Sequence, residues 1–118
     1  MAYKAFRSLA DSDQRIKEVR MPSQEAAKLY PDGYFDYIYL DADHTREGIT
    51  ADIESWWPKL KPGGIFAGHD YIHPNHKKLR KKAVRFEVKP VVDQFVKDNN
   101  LVLHKTQEAF ASWFLKKP

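Results

Sequence analysis

FDYIYLDADH, residues 35–44, decides how this chain is read. Its first six residues form a near-continuous apolar and aromatic run, which predicts a strand buried on both faces, as in parallel sheets. Asp41 ends the run, and Asp43 and His44 follow at once. LKPGGIFAGHDY (60–71) repeats the plan: a Lys61-Pro62-Gly63-Gly64 stop, a short strand over 65–68, then the polar tip His69-Asp70. Between the two, Thr45 can cap a helix in which Ile49, Ile53, Trp56 or Trp57, and Leu60 recur at helical spacing. Strand, helix, strand over about 35 residues is a βαβ crossover. Adjacent parallel strands bring both polar tips to one sheet edge, where open α/β folds keep their sites.

Outward from that unit the signals are more local. Residues 3–12 carry a weak helical pattern, and Ile16–Met21 alternates apolar and charged residues as a half-exposed or edge strand would. Pro22 stops it, and Ser23 stands at an N-cap position before a short helix. Tyr30-Pro31-Asp32-Gly33 is a turn, because Pro presets φ and Gly admits positive φ. Val88, Val91, Val92, Phe95 and Val96 give one apolar helical face, with Pro90 tolerable in the first turn. Residues 101–104 and 111–115 read as two strands whose connection is too short for a crossover, hence an antiparallel hairpin.

A chain of 118 residues is one domain. There is no cysteine, which excludes disulfides and thiolate sites and makes the cytoplasm the expected compartment. No apolar run approaches membrane-spanning length, and the first residues lack a signal-peptide core. Residues 1–60 carry 8 Lys/Arg against 11 Asp/Glu, whereas 61–118 carry 12 against 5. Seven of those basic residues fall between Lys77 and Lys89. A phosphate or nucleic-acid grip is one reading of that run. With Phe86 as its one aromatic, a solvated lid over the strand ends is the reading adopted, and a nucleic-acid partner is not expected.

Together FDYIYLDADH, the Asp52 helix, LKPGGIFAGHDY and VKPVVDQFV (88–96) resemble the second half of a class I methyltransferase that uses S-adenosylmethionine. The branch resembled holds the caffeoyl-CoA-type and macrocin-type O-methyltransferases, and the likeness covers roughly residues 15–118. It implies a partial Rossmann-like fold: a three-layer α/β/α domain with a mostly parallel sheet and an antiparallel C-terminal hairpin. The family's glycine-rich motif after its first strand has no counterpart, since Gly33 is the one glycine before Gly48.

Carried over position by position, the resemblance gives Ser23 a place near the adenine. Asp43 and His44 become the cofactor-contacting and proton-accepting pair. Asp41, His69 and Asp70 become the ligands of a divalent metal, Mg or Mn. The reaction implied is methyl transfer to a hydroxyl of a small molecule or sugar. A non-catalytic remnant or subunit working through a partner chain stays open as an alternative, as does a metal-dependent hydrolase built on the same Asp/His cluster. A strand-end turn capping the next helix is the structural alternative for Asp41 and Asp43. The missing strand leaves residues 35–40 with an open edge, which is costly to expose. Either Ile16–Met21 slides in beside it, or a homodimer or partner chain covers it.

Overall fold

The computed structural model describes residues 8, 11–41, 44–81 and 85–118. Its elements in chain order are α1 (Ser23–Ala27), β1 (Phe35–Leu40), α2 (Arg46–Trp56), β2 (Leu60–Tyr71), α3 (Val88–Asp98), β3 (His104–Lys105) and β4 (Ala111–Lys116). The sheet order is β1-β2-β4-β3. β1 and β2 run parallel with Tyr37 opposite Ile65 and Leu40 opposite Gly68, so the βαβ unit is present. β4 lies antiparallel to both β2 and β3, which gives the expected terminal hairpin, although β3 is two residues long. A mostly parallel sheet was expected; among the described residues one pairing is parallel and two are antiparallel.

α2 starts where the sequence places it. The Thr45 hydroxyl accepts from the Gly48 N–H at 3.1 Å, satisfying one of the donors that every helix start leaves open. Ile49 and Ile53 of α2 and Val88, Val91 and Val92 of α3 pack with Ile38, Leu40, Phe66, Trp113 and Leu115 of the sheet into one core. Past the end of α3, Asn100 has φ +53°, the left-handed place often given to glycine, and the Leu101 N–H bonds the Val96 carbonyl at 3.0 Å.

Several expectations are corrected. Residues 16–21 form no strand: alternation specifies a strand only where a ladder partner exists, and the Ile16 N–H is taken by the Asp13 carbonyl in a turn. Ser23 is the first residue of α1 and not its cap, which is Pro22. Ser23 instead accepts the indole N–H of Trp56 at 2.7 Å. β1 is buried on one face only, with Tyr37 57% and Tyr39 42% exposed on the other. Of the expected helix over 3–12, residues 8, 11 and 12 are described and are helical, and the others lie outside the described residues. Among the described residues no helix is long and apolar enough to cross a membrane.

β2 is longer at both ends than residues 65–68, and LKPGG explains one end. Phe35 pairs with Leu60 but Tyr37 pairs with Ile65, so the Lys61–Gly64 segment loops out of the ladder. Gly63 has φ +85°, a conformation that side-chain-bearing residues rarely adopt. A Cβ on Gly64 would stand 2.8 Å from the Asp36 carbonyl oxygen. Lys117 locks the bulge, its N–H bonding Gly64 O and its C=O accepting from Gly63 N. Its ammonium also donates to the carbonyls of Trp57 and Leu60 at 3.0 and 2.8 Å.

The other end of β2 is tied to α3. The Tyr71 hydroxyl donates to Asp93 at 2.5 Å, and Lys89 donates to Tyr71 at 3.2 Å and to Asp93 at 2.8 Å. Burial, then the bond to Asp93, pushes the Tyr71 phenol above its ordinary range. Burial pulls the Lys89 ammonium down, but Asp93 and Tyr71 outweigh it and the net shift is upward. Both groups hold their protons more tightly in the folded chain. Their contribution is intact below the ordinary phenol and ammonium range, about pH 10, and is lost as pH rises through the raised values. Urea unfolding at rising pH is expected to show stability falling above about pH 10. Tyr71→Phe should cost about 1 kcal/mol at neutral pH and flatten that alkaline loss.

Candidate functional site at the strand ends

The parallel pairing sets Leu40 beside Gly68, so the residues that follow each emerge at the same rim. Asp41, Asp52, His69 and Asp70 line one small cleft there with Leu40, Ile49 and Val88. Its volume is about 10 Å³, room for a single water-sized sphere. Asp70 is held at φ +60°, a left-handed backbone at the tip of a strand. Strain of that kind persists only where the surroundings enforce it, and it clusters at functional sites.

His69 is held from two neighbouring strands. Its Nδ1 lies 3.5 Å from the Tyr39 hydroxyl and 3.4 Å from Ser112 Oγ, and these two hydroxyls are 3.2 Å apart. Its Nε2 faces Asp70 Oδ1 at 3.7 Å. Glu108, on the β3–β4 connection, has its carboxyl held below the usual range by the Thr106 hydroxyl and its own backbone, with a weaker pull from His69.

Beside this rim runs a groove of about 460 Å³ along the open edge of β1. Tyr37, Tyr39 and Asp41 of the β1 segment form one wall, and Ser23 of α1 with Asp52 and Trp56 of α2 form the other. Asp52 is 3% exposed, and Gln24 of α1 donates to its carboxylate at 2.9 Å. Asp52 therefore borders both the groove and the cleft.

Of the residues singled out from sequence, Asp41, His69 and Asp70 come together, and Ser23 lies along the groove next to them. Asp43 lies outside the described residues. His44 does not line the cleft; its ring stacks on Phe86 at 4.1 Å and 9°. Its Nδ1 is buried without a hydrogen-bond partner among the described residues. No three His, Asp or Glu side chains among the described residues stand at metal-binding spacing. Asp52, Tyr39 and Ser112 were missed. Asp52 did leave a signal, because Ile49, Asp52 and Trp56 share one helical stripe and a carboxylate there breaks an apolar face.

A family profile described as a methyltransferase domain matches residues 2–71, more than half of the sequence. The chain belongs to the methyltransferase domain family. Solved structures carry the same fold. The chain superimposes over 97% of its length on a structure from Corynebacterium glutamicum, with TM-score 0.72 and 14% identity, and covers 53% of it. A candidate caffeoyl-CoA O-methyltransferase from Staphylococcus aureus matches over 98%, with TM-score 0.70 and 13% identity, and is 57% covered. MycE, a methyltransferase of mycinamycin biosynthesis solved with Mg, SAH and mycinamycin VI, matches over 89% with TM-score 0.57 and 16% identity. The chain covers 32% of MycE, so it spans about half or less of each of these structures. No curated protein matches it in sequence.

Proposed function

We propose that this chain forms the strand-end half of an S-adenosylmethionine-dependent O-methyltransferase site acting on a hydroxyl of a small molecule or sugar. The observation that carries the reading is the shared rim: Asp41, Asp52, His69 and Asp70 around one cleft, with an aromatic-walled groove leading into it.

The groove suits the cofactor in size and chemistry. Its volume falls within the range of small-molecule sites, about 300–1,000 Å³. The Ser23 hydroxyl, bonded to Trp56, lies along the wall assigned to the adenine. Aromatic rings and carboxylates stabilise a cation, and Tyr37, Tyr39, Asp41 and Asp52 supply both. When bound, the cofactor supplies a methyl group on a sulfonium centre that departs as a neutral thioether.

The chain's own work is to orient the acceptor and take its proton. Asp43 and His44 are the proposed pair for this. Asp41, His69 and Asp70 are the proposed holders of any divalent cation; Asp41 and Asp70 bring the hard oxygens such ions take. Among the described residues, however, no three such side chains stand at metal-binding spacing.

Calorimetric titration of the purified chain with S-adenosylmethionine and S-adenosylhomocysteine tests the reading. Micromolar binding is expected, and absence of heat with both ligands would overturn it. Asp41→Asn should weaken the cationic donor by about tenfold more than the neutral product, since a charge a few ångströms away acts on one ligand only. Equal weakening would mean that Asp41 does not face the sulfonium.

A further inference from the structure

Residues 71–86 hold no Asp or Glu, and Lys77, Lys78, Arg80, Lys81 and Arg85 are all exposed on this stretch. Leu79 and Phe86 pin it to the rim. Both are buried with Ile72, which follows Asp70 by two residues, and Phe86 stacks on His44. The Glu87 N–H bonds the His44 carbonyl at 2.9 Å. Beside this junction Thr45, Arg46, Glu47, Arg85 and Glu87 line a pocket of about 380 Å³. The Glu87 carboxylate steadies both of its guanidiniums: Oε1 accepts from Arg85 Nε at 2.9 Å, and Oε2 faces Arg46 Nη2 at 3.7 Å. One half-buried carboxylate thus holds two arginines that are each more than half exposed. The other N–H groups of each guanidinium stay open to a ligand.

We propose that this arginine pair anchors the acceptor, by taking a phosphoryl group carried on the molecule to be methylated. Planar guanidiniums match phosphate oxygens two at a time. The exposed lysines of the neighbouring stretch add a positive field that draws such an anion in. Against Arg46, Arg85 and those neighbours the pocket sets Glu47 and Glu87, and Glu87 is already committed to the arginines. A compact group with more than one charge is therefore matched better than a single carboxylate. The pocket wall begins at Thr45, directly after His44, so an acceptor anchored there presents its hydroxyl to the proton-accepting pair proposed above. No residue lines both this pocket and the groove proposed for the cofactor, so the two can be filled together. The acceptor role rests on the methyl-transfer reading; the anion site itself rests on the arginines.

Inorganic pyrophosphate is the probe, titrated into the nitrogen-15-labelled purified chain and followed by NMR at low salt, where surface charges are weakly screened. Saturable shifts are expected at the Arg46 and Arg85 Nε–H signals and at the Glu47 amide, with a Kd of about 1 mM or below. Arg46→Met and Arg85→Met should each weaken binding about tenfold. Lys105→Met, on the far edge strand β3, should leave it unchanged. The wild-type shifts decide the matter should either arginine variant fail to fold. Shifts as large at Lys105 as at the arginines, citrate binding as tightly as pyrophosphate, or arginine variants that bind like the wild type would each overturn the proposal. S-adenosylmethionine added to the same sample separates the two readings. Cofactor binding without pyrophosphate binding sinks the phosphoryl anchor alone, and the reverse sinks methyl transfer while the anion site stands.

Discussion

Trp113→Ala is expected to lower the unfolding free energy by about 3–5 kcal/mol, a large part of what a domain of this size has. Trp113 is 1% exposed and sits on β4 directly opposite Gly68 of β2. Its ring fills the space that any side chain at Gly68 would need. A methyl there would lie 2.5 Å from Cζ2, 2.6 Å from Cε2 and 2.7 Å from Nε1. Gly68→Ala should therefore cost about 1–3 kcal/mol or more through overpacking. The two substitutions share one volume, so together they should cost clearly less than their sum. Urea unfolding of the wild type, both single variants and the double variant measures this, and strict additivity would show that the close approach is not the cause.

Asp70 should separate stability from binding. At φ +60° a β-branched residue is strongly disfavoured and glycine is at ease. Asp70→Val is expected to cost about 1–3 kcal/mol, whereas Asp70→Gly should cost nothing and could add a few tenths by relieving the backbone. Both remove the carboxylate from the rim, so both should weaken S-adenosylmethionine binding to a similar degree. Unfolding curves and calorimetry on the same two proteins give the comparison. Retained binding in the stable glycine variant would remove Asp70 from the site.

The βαβ unit was legible because its signals agree: an aromatic strand, a capped helix with Ile49 and Ile53 in register, and a glycine stop. The rim was legible too, since parallel pairing dictates that Asp41 and His69-Asp70 meet. Other features depend on three-dimensional neighbours that periodicity does not encode. FDYIYL reads as doubly buried, yet Tyr37 and Tyr39 face outward because no described element covers them. Ile16–Met21 alternates as a strand would but has no ladder to join. Ser23 resembles a cap until Trp56, 33 residues away, claims its hydroxyl. The Tyr39–His69–Ser112 group spans 73 residues of sequence from its first member to its last, a distance at which local patterns carry no information.

The place of β4 bears on how the chain can be made. β4 follows every other element in sequence, yet it lies inside the sheet, between β2 and β3. It brings Trp113 and Leu115 to the core. A nascent polypeptide still lacking residues 111–116 leaves Phe66 without its cross-strand cover and β2 with a free flank. Productive folding on the ribosome must therefore wait for that segment to emerge. Until then the growing chain offers an apolar strand for chaperones to shield.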